Sequence, residues 1–82
     1  MDRLRNKITL ITGAAKGQGP YEADIFASEG ATVILADVDI QACKAIQKKI
    51  ESAGGKAISL HLDVTSESDW KRCVRDIERT FG

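Results

Sequence analysis

A glycine-rich turn constrains this chain more than any other feature. The turn, Thr12–Gly19, follows an apolar, β-branched run at residues 7–12 and precedes a helical pattern. Gly13 allows a tight turn off a strand, Gly17 lets the backbone approach a pyrophosphate without a Cβ clash, and Gly19 allows close packing of helix on strand. The N–H groups and the dipole of the helix would face the phosphates. The segment therefore predicts a strand, a nucleotide-binding turn and a helix.

The rest of the sequence repeats the alternation of strand and helix. Residues 31–36 and 56–62 are apolar runs that predict two more strands, and residues 40–53 and 66–81 carry helical apolar spacing. Alternating units favour a parallel sheet, and right-handed crossovers give the strand order 3-2-1. The first two helices would cover one face, and the third would begin to cross to the other. We expect an α/β fold of βαβαβα order, half of a Rossmann-type domain.

The third helix carries its own start and stop signals. Ser66-Glu67-Ser68-Asp69 has the spacing of a capping box with Asp in the fourth position, and Gly82 is a candidate C-cap. Four residues form the apolar face that we expect to meet the core: Trp70, Val74, Ile77 and Phe81.

Acidic residues end the second and third predicted strands. Asp37 lies 18 residues beyond Gly19, near the roughly 20 residues at which a carboxylate binds ribose hydroxyl groups in dinucleotide folds. The turn lacks the Gly-Lys-Ser/Thr sequence of a P-loop, which excludes a P-loop NTPase. Plainer interpretations stay open: the turn could be structural, Asp63 could simply end its strand beside a helix cap, and Lys16 could be a solvated cation.

The spacing Thr-Gly-x-x-x-Gly-x-Gly after a first strand resembles the signature of the short-chain dehydrogenase/reductase family. The resemblance covers the whole chain and includes Glu29-Gly30-Ala31, Ala36-Asp37-Val38, Leu62-Asp63-Val64-Thr65 and the helix that closes on Phe81-Gly82. It implies the NAD(P)-binding portion of an oxidoreductase that acts on a hydroxyl or carbonyl substrate.

The resemblance also implies which residues contact the dinucleotide. Five residues of the turn would line the pyrophosphate: Gly13, Lys16, Gly17, Gln18 and Gly19. Asp37 would accept hydrogen bonds from the adenosine ribose, and Asp63 and Val64 would contact the adenine ring. Gln18 stands where the family mostly carries Ile, near the nicotinamide. NAD is the expected cofactor and NADP the less favoured one, because the Asp37 carboxylate would repel a 2′-phosphate, although Lys16 acts in the opposite direction.

The catalytic residues of the family are not found in this sequence. The family uses a Tyr–Lys pair with a Ser, in which Tyr is the general acid/base. The one tyrosine, Tyr21, has Ile25 rather than Lys four residues later, so we predict no catalytic residue and expect Tyr21 to pack or lie on the surface. Residues 1–82 are then expected to be an incomplete N-terminal dinucleotide-binding portion.

Two other classes of function stay open. One is a non-catalytic nucleotide-binding or interaction fragment, and the other is a methyltransferase-type nucleotide module, against which the glycine spacing argues. The strands are apolar on both faces, and the first strand would form an edge with unpaired N–H and C=O groups. We therefore expect self-association, or association with a missing C-terminal half.

Composition limits the remaining partners. Twelve basic residues balance twelve acidic ones, so no basic footprint for nucleic acid exists. No apolar run approaches the roughly 20 residues of a membrane span. Cys43 and Cys73 have no metal-binding spacing, and His61 in its apolar strand is interpreted as a packed or edge residue. We predict no metal site and a cytoplasmic location.

Overall fold

The computed structural model describes residues 7–81. Its six elements alternate along the chain: β1 (Ile8–Thr12), α1 (Gly19–Ser28), β2 (Thr32–Asp37), α2 (Ile40–Ser52), β3 (Lys56–His61) and α3 (Glu67–Phe81). The predicted βαβαβα order is confirmed. The predicted C-cap, Gly82, lies outside the described residues.

The strands form one parallel sheet in the order β1-β2-β3, which is the predicted order. Ile8 pairs with Thr32 at one end and Thr12 with Ala36 at the other, so β1 and β2 are aligned over their whole common length. β2 is the central strand and is almost completely buried, whereas β1 and β3 are partly exposed. The carboxyl ends of all three strands consequently lie along one edge of the sheet.

The first face of the sheet carries the larger core. Helices α1 and α2 pack there, as predicted, and we name their core the α1/α2 cluster. Its buried members are Ile11, Ala14, Ala23, Val33, Leu35, Cys43, Ile50 and Ala57. Because side chains alternate along a strand, Val33 and Leu35 point to this face and the residues between them point to the other.

The second face carries a smaller core formed with α3. We name it the α3 cluster: Ala36, Leu62 and Cys73 are buried, and Leu60, Trp70 and Ile77 pack against them. The third helix has therefore crossed to the other face, as predicted. The side chains of Ile8 and Leu10 share this face through their register with β2, and both are exposed.

The predicted apolar face of α3 is wrong at two positions. Val74 and Phe81 are 44% and 37% exposed, respectively, instead of facing the core. The residues that meet the sheet are Trp70, Cys73 and Ile77, which are spaced as one helical stripe. Val74 lies about 100° around the helix from Cys73, and Phe81 is the last residue of α3. Within residues 7–81 no helix is long and apolar enough to cross a membrane.

Candidate functional site

A cleft of about 270 Å³ lies at the carboxyl ends of the strands. Seven residues line it: Thr12, Gly13, Asp37, Val38, Leu62, Asp63 and Val64. Four of them, Gly13, Asp37, Asp63 and Val64, are site residues predicted from the sequence. The other three were missed, although each adjoins a predicted site residue at a strand end, where ligands of α/β folds bind.

The glycine turn leads from this cleft into α1. Gly13 and Gly17 have φ values of 63° and 59°, a conformation that side chains other than glycine rarely adopt. A Cβ added to Gly17 would meet nothing within 4 Å, so the space beside this residue is open to a ligand. Lys16, Gly17 and Gln18 do not line the cleft itself but lie in the turn that follows it.

Gly19 brings the start of α1 against the turn. A Cβ at this position would lie 2.7 Å from both the Cα and the carbonyl oxygen of Ala14. The close approach predicted at Gly19 is therefore present, but its partner is Ala14, just beyond the end of β1, rather than the strand. Gln18 caps α1 without a side-chain hydrogen bond to the helix. The N-terminus of α1 is thus left without a side-chain acceptor from its own cap.

Asp37 joins β2 to the glycine turn. Its Oδ2 accepts a hydrogen bond from the N–H of Ala15 at 3.1 Å, and its Oδ1 accepts one from the N–H of Asp39 at 2.9 Å. The hydrogen bond from Asp39 is the largest cause that lowers the pKa of Asp37; burial opposes it, and Ala15 and the charge of Lys16 add to it. Asp37 is 6% exposed, so the cleft holds a buried carboxylate that stays ionised.

The carboxylate of Asp63 is held within its own loop. Its Oδ1 accepts hydrogen bonds from the hydroxyl and the N–H of Thr65, at 2.6 and 3.0 Å. The hydroxyl of Thr65 is the largest cause that lowers the pKa of Asp63. Asp63 is therefore a second ionised acceptor on the wall of the same cleft.

The predicted capping box forms only in part. Ser66 Oγ accepts a hydrogen bond from the N–H of Asp69 at 3.2 Å, which is the first half of the motif. The second half requires the Asp69 carboxylate to accept from the N–H of Ser66, but that N–H donates to the carbonyl of Asp63. The carboxylate of Asp69 instead accepts from the N–H of Asp63 at 2.7 Å. Aspartate is one methylene shorter than the Glu or Gln of the motif, and here it contacts the preceding loop.

His61 lies at the end of β3 as an edge residue, with its side chain 49% exposed and its Nδ1 3.5 Å from Asp69 Oδ2. Among residues 7–81, no three His, Cys, Asp or Glu side chains are arranged to hold a metal ion.

Cys43 and Cys73 are buried free thiols, and burial raises the pKa of Cys43 to about 11. Tyr21 is 68% exposed on α1, one of the two locations expected for it.

Comparison with known proteins identifies relatives over nearly the whole chain. Residues 7–82 match the family model for short chain dehydrogenase. The chain is 38% identical over 81 residues to 2,5-dichloro-2,5-cyclohexadiene-1,4-diol dehydrogenase from Sphingobium indicum, a match that covers 99% of the chain and 32% of that enzyme. It is 42% identical over 77 residues to cyclopentanol dehydrogenase from Comamonas testosteroni, covering 94% of the chain and 31% of that enzyme.

Solved structures give the same result. A metagenomic short-chain oxidoreductase in complex with NADP superposes with a TM-score of 0.93 at 28% identity, over 98% of this chain and 36% of that one. The hydroxysteroid dehydrogenase from Escherichia coli superposes with a TM-score of 0.92 at 32% identity, over 98% of this chain and 34% of that one. The chain therefore spans about a third of the length of the relatives that it matches.

Proposed function

The chain belongs to the short-chain dehydrogenase family, and we propose that it is the N-terminal dinucleotide-binding portion, residues 1–82, of an oxidoreductase acting on a hydroxyl or carbonyl substrate. One observation carries the proposal. The carboxylate of Asp37 is buried at the carboxyl end of the sheet and hydrogen-bonded to the backbone of the glycine turn. This contact supports the proposal, because a carboxylate that would bind ribose and a turn that would bind phosphates must lie next to each other to hold a dinucleotide.

The residues of the cleft and of the adjoining glycine turn fit such a ligand. Gly17 leaves open space beside the turn, and Gly19 lets the N-terminus of α1 approach it. The pyrophosphate would be held by Gly13, Lys16, Gly17, Gln18 and Gly19. Asp37 would bind the ribose, and Asp63 and Val64 the adenine ring. A bound nicotinamide ring would supply the hydride chemistry.

We propose that NAD is preferred over NADP. The buried carboxylate of Asp37 would accept a hydrogen bond from a free 2′-hydroxyl group, whereas it would repel a 2′-phosphate. Lys16, whose charge acts on Asp37, favours NADP, but Asp37 would contact the group that distinguishes the two dinucleotides. The NADP complex of the metagenomic relative is a property of that protein.

The chain alone would not turn over substrate. Its sequence has no Tyr-x-x-x-Lys pair, so no general acid/base of that type would act on a bound substrate. Apolar side chains are exposed on the sheet face that carries the α3 cluster, at Ile8 and Leu10, and on α3 itself, at Val74. They favour association with a second copy or with the remaining part of a longer protein. A cytoplasmic location stays a prediction based on the free thiols of Cys43 and Cys73.

The test is a nuclear magnetic resonance titration of the chain with NAD, NADP and S-adenosylmethionine at up to millimolar concentration. We expect NAD to shift the amide signals of Gly13, Asp37 and Asp63, and NADP to bind more weakly. Asp37→Ser should reduce the preference for NAD, whereas Asp24→Ser on the exposed side of α1 should leave it unchanged.

Three results would contradict the proposal. Tighter binding of NADP than of NAD would overturn the cofactor preference. Binding of S-adenosylmethionine without NAD would favour a methyltransferase-type module, and binding of none of the three would favour an interaction fragment.

A further inference from the structure

The first turns of α3 contact the end of β3 and the loop that leaves it at three points. The carboxylate of Asp69 accepts from the N–H of Asp63 at 2.7 Å, and the indole N–H of Trp70 donates to the carbonyl of Val64 at 3.2 Å. The guanidinium of Arg72 donates to the carbonyl oxygen at the end of β3 at 2.7 Å. The wall of the cleft formed by Asp63 and Val64 is thus held by side chains of the following helix.

Asp69 is the centre of this arrangement. Its Oδ2 accepts from the N–H of Asp63, and its Oδ1 accepts from Arg72 at 2.8 Å. The side chain is 19% exposed, and the imidazole of His61 lies 3.5 Å from it. The hydrogen bond from Asp63 is the largest cause that lowers the pKa of Asp69, and the hydrogen bond from Arg72 follows. The group that holds the loop is therefore ionised at neutral pH.

The carboxylate of Asp63 has one oxygen left for a ligand. Its Oδ1 is occupied by Thr65, whereas its Oδ2 makes no hydrogen bond within residues 7–81. An ionised carboxylate oxygen accepts hydrogen bonds and donates none, so it suits the exocyclic amine of adenine and disfavours a carbonyl oxygen at the same place. Fixing the main chain of Asp63 at its N–H limits how far this oxygen can move.

We propose that Asp69 is a positioning residue for the adenine end of the dinucleotide site. This assignment rests on the proposed function. In it, Asp69 holds Asp63 in place, and Asp63 in turn selects adenine over hypoxanthine. A purely structural role at the start of α3 would make a different prediction. It would lower the stability of the chain and weaken all dinucleotides by the same factor.

The experiment measures the affinity of the chain for NAD and for nicotinamide hypoxanthine dinucleotide, in which a carbonyl oxygen replaces the amine. The unaltered chain should bind NAD more tightly. Asp69→Ala should reduce the ratio of the two affinities by about tenfold, and Asp69→Asn should reduce it less because it keeps an acceptor oxygen. Glu67→Gln removes an acidic charge from the same helical turn, where its carboxylate lies beside Lys71 and 86% exposed, and should leave the ratio unchanged.

The fluorescence of Trp70 gives a second measurement. Trp70 is the only tryptophan of the chain, and its indole bonds to the carbonyl of Val64. We expect NAD to shift its emission in the unaltered chain and in Glu67→Gln, and to shift it less in the two Asp69 variants.

The outcomes separate the two proposals. If the unaltered chain binds neither dinucleotide, the proposed function fails. If it prefers NAD and the ratio stays the same in both Asp69 variants, the assignment of Asp69 fails while the proposed function stands. Should Asp69→Ala not fold, as circular dichroism would report, the ratio in Asp69→Asn decides alone.

Discussion

Asp37 and Asp63 occupy equivalent places and are held in different ways. Each follows or ends a neighbouring strand, each lines the same cleft, and each has a lowered pKa. The oxygens of Asp37 accept from main-chain N–H groups of two segments, the glycine turn and the loop after β2. Asp63 relies on Thr65 in its own loop, while its N–H donates to the side chain of Asp69.

The two acids differ in what a substitution of their partners would change. Main-chain donors are present whatever the sequence, so the place of Asp37 is fixed by the fold and its loss disturbs the turn. The carboxylate of Asp63 accepts from the hydroxyl and the N–H of Thr65, and its own N–H donates to the carboxylate of Asp69. Two of these three partners are side chains, which single substitutions can remove without changing the course of the backbone. The Asp37 end of the cleft is therefore part of the fold, whereas the Asp63 end can be adjusted by substitution.

The strongest test of this contrast is Asp37→Ala beside Asp63→Ala. Asp37→Ala leaves the N–H groups of Ala15 and Asp39 without their acceptor, and we expect a loss of about 1–3 kcal/mol in the free energy of unfolding together with the loss of NAD binding. Asp63→Ala should weaken NAD binding with a much smaller change in stability. Urea unfolding and NAD titration of both variants check this. Equal destabilisation by the two substitutions would remove the contrast.

A smaller effect on NAD binding is expected from Gly19→Ala, which acts on the Asp37 side alone. The new Cβ would lie 2.7 Å from the backbone of Ala14, so the turn must shift. We expect weaker NAD binding and a loss of stability of about 1–3 kcal/mol, the usual cost of overpacking. Amide signals should move at Ala15 and Asp37 but not at Asp63. Asp24→Ala on the exposed side of the same helix is the control, and movement at Asp63 of equal size would contradict the separation of the two ends.

The smallest effect is expected from Thr65→Val, which removes the hydroxyl group bound to Asp63 Oδ1 and keeps the N–H. The pKa of Asp63 should rise toward the ordinary value of about 3.9, and NAD should bind about threefold more weakly or less. A group with a lowered pKa stabilises the fold above its unfolded pKa and loses that contribution as the pH falls through its folded value. In the variant, the free energy of unfolding should therefore fall less steeply below pH about 4, because Asp63 contributes less to its dependence on pH.

Carboxyl signals followed by nuclear magnetic resonance during an acid titration measure both pKa values directly. Asp37 should titrate in the variant as it does in the unaltered chain. A shift of Asp37 equal to that of Asp63 would indicate that one network holds both acids.

The strands and the places of the two acids were predictable from the sequence. Apolar runs locate the strands, and the rule that ligands bind at the carboxyl ends of parallel strands brings Asp37 and Asp63 to one cleft. The hydrogen bond between Asp69 and Asp63 was not predicted, because the capping spacing assigns the carboxylate of Asp69 to Ser66, whereas the path of the loop presents the N–H of Asp63. Val74 was predicted to face the core because it continues the apolar spacing of α3. The part of α3 that contacts the sheet is narrower than that apolar stripe, so Val74 lies outside the contact.

The edge position of β1 has a consequence for amide hydrogen exchange. In a parallel strand, successive residues direct their N–H groups to opposite sides, and within residues 7–81 only β2 pairs with β1. The N–H of Thr32 donates to the carbonyl of Lys7, which places the outward amides of β1 at Ile8, Leu10 and Thr12. Deuterium should enter these amides quickly and those of Thr9 and Ile11 slowly. Any strand that joins this edge, from a second copy or from a longer chain, would slow exchange at Ile8, Leu10 and Thr12. Exchange at Thr9 and Ile11 would stay unchanged.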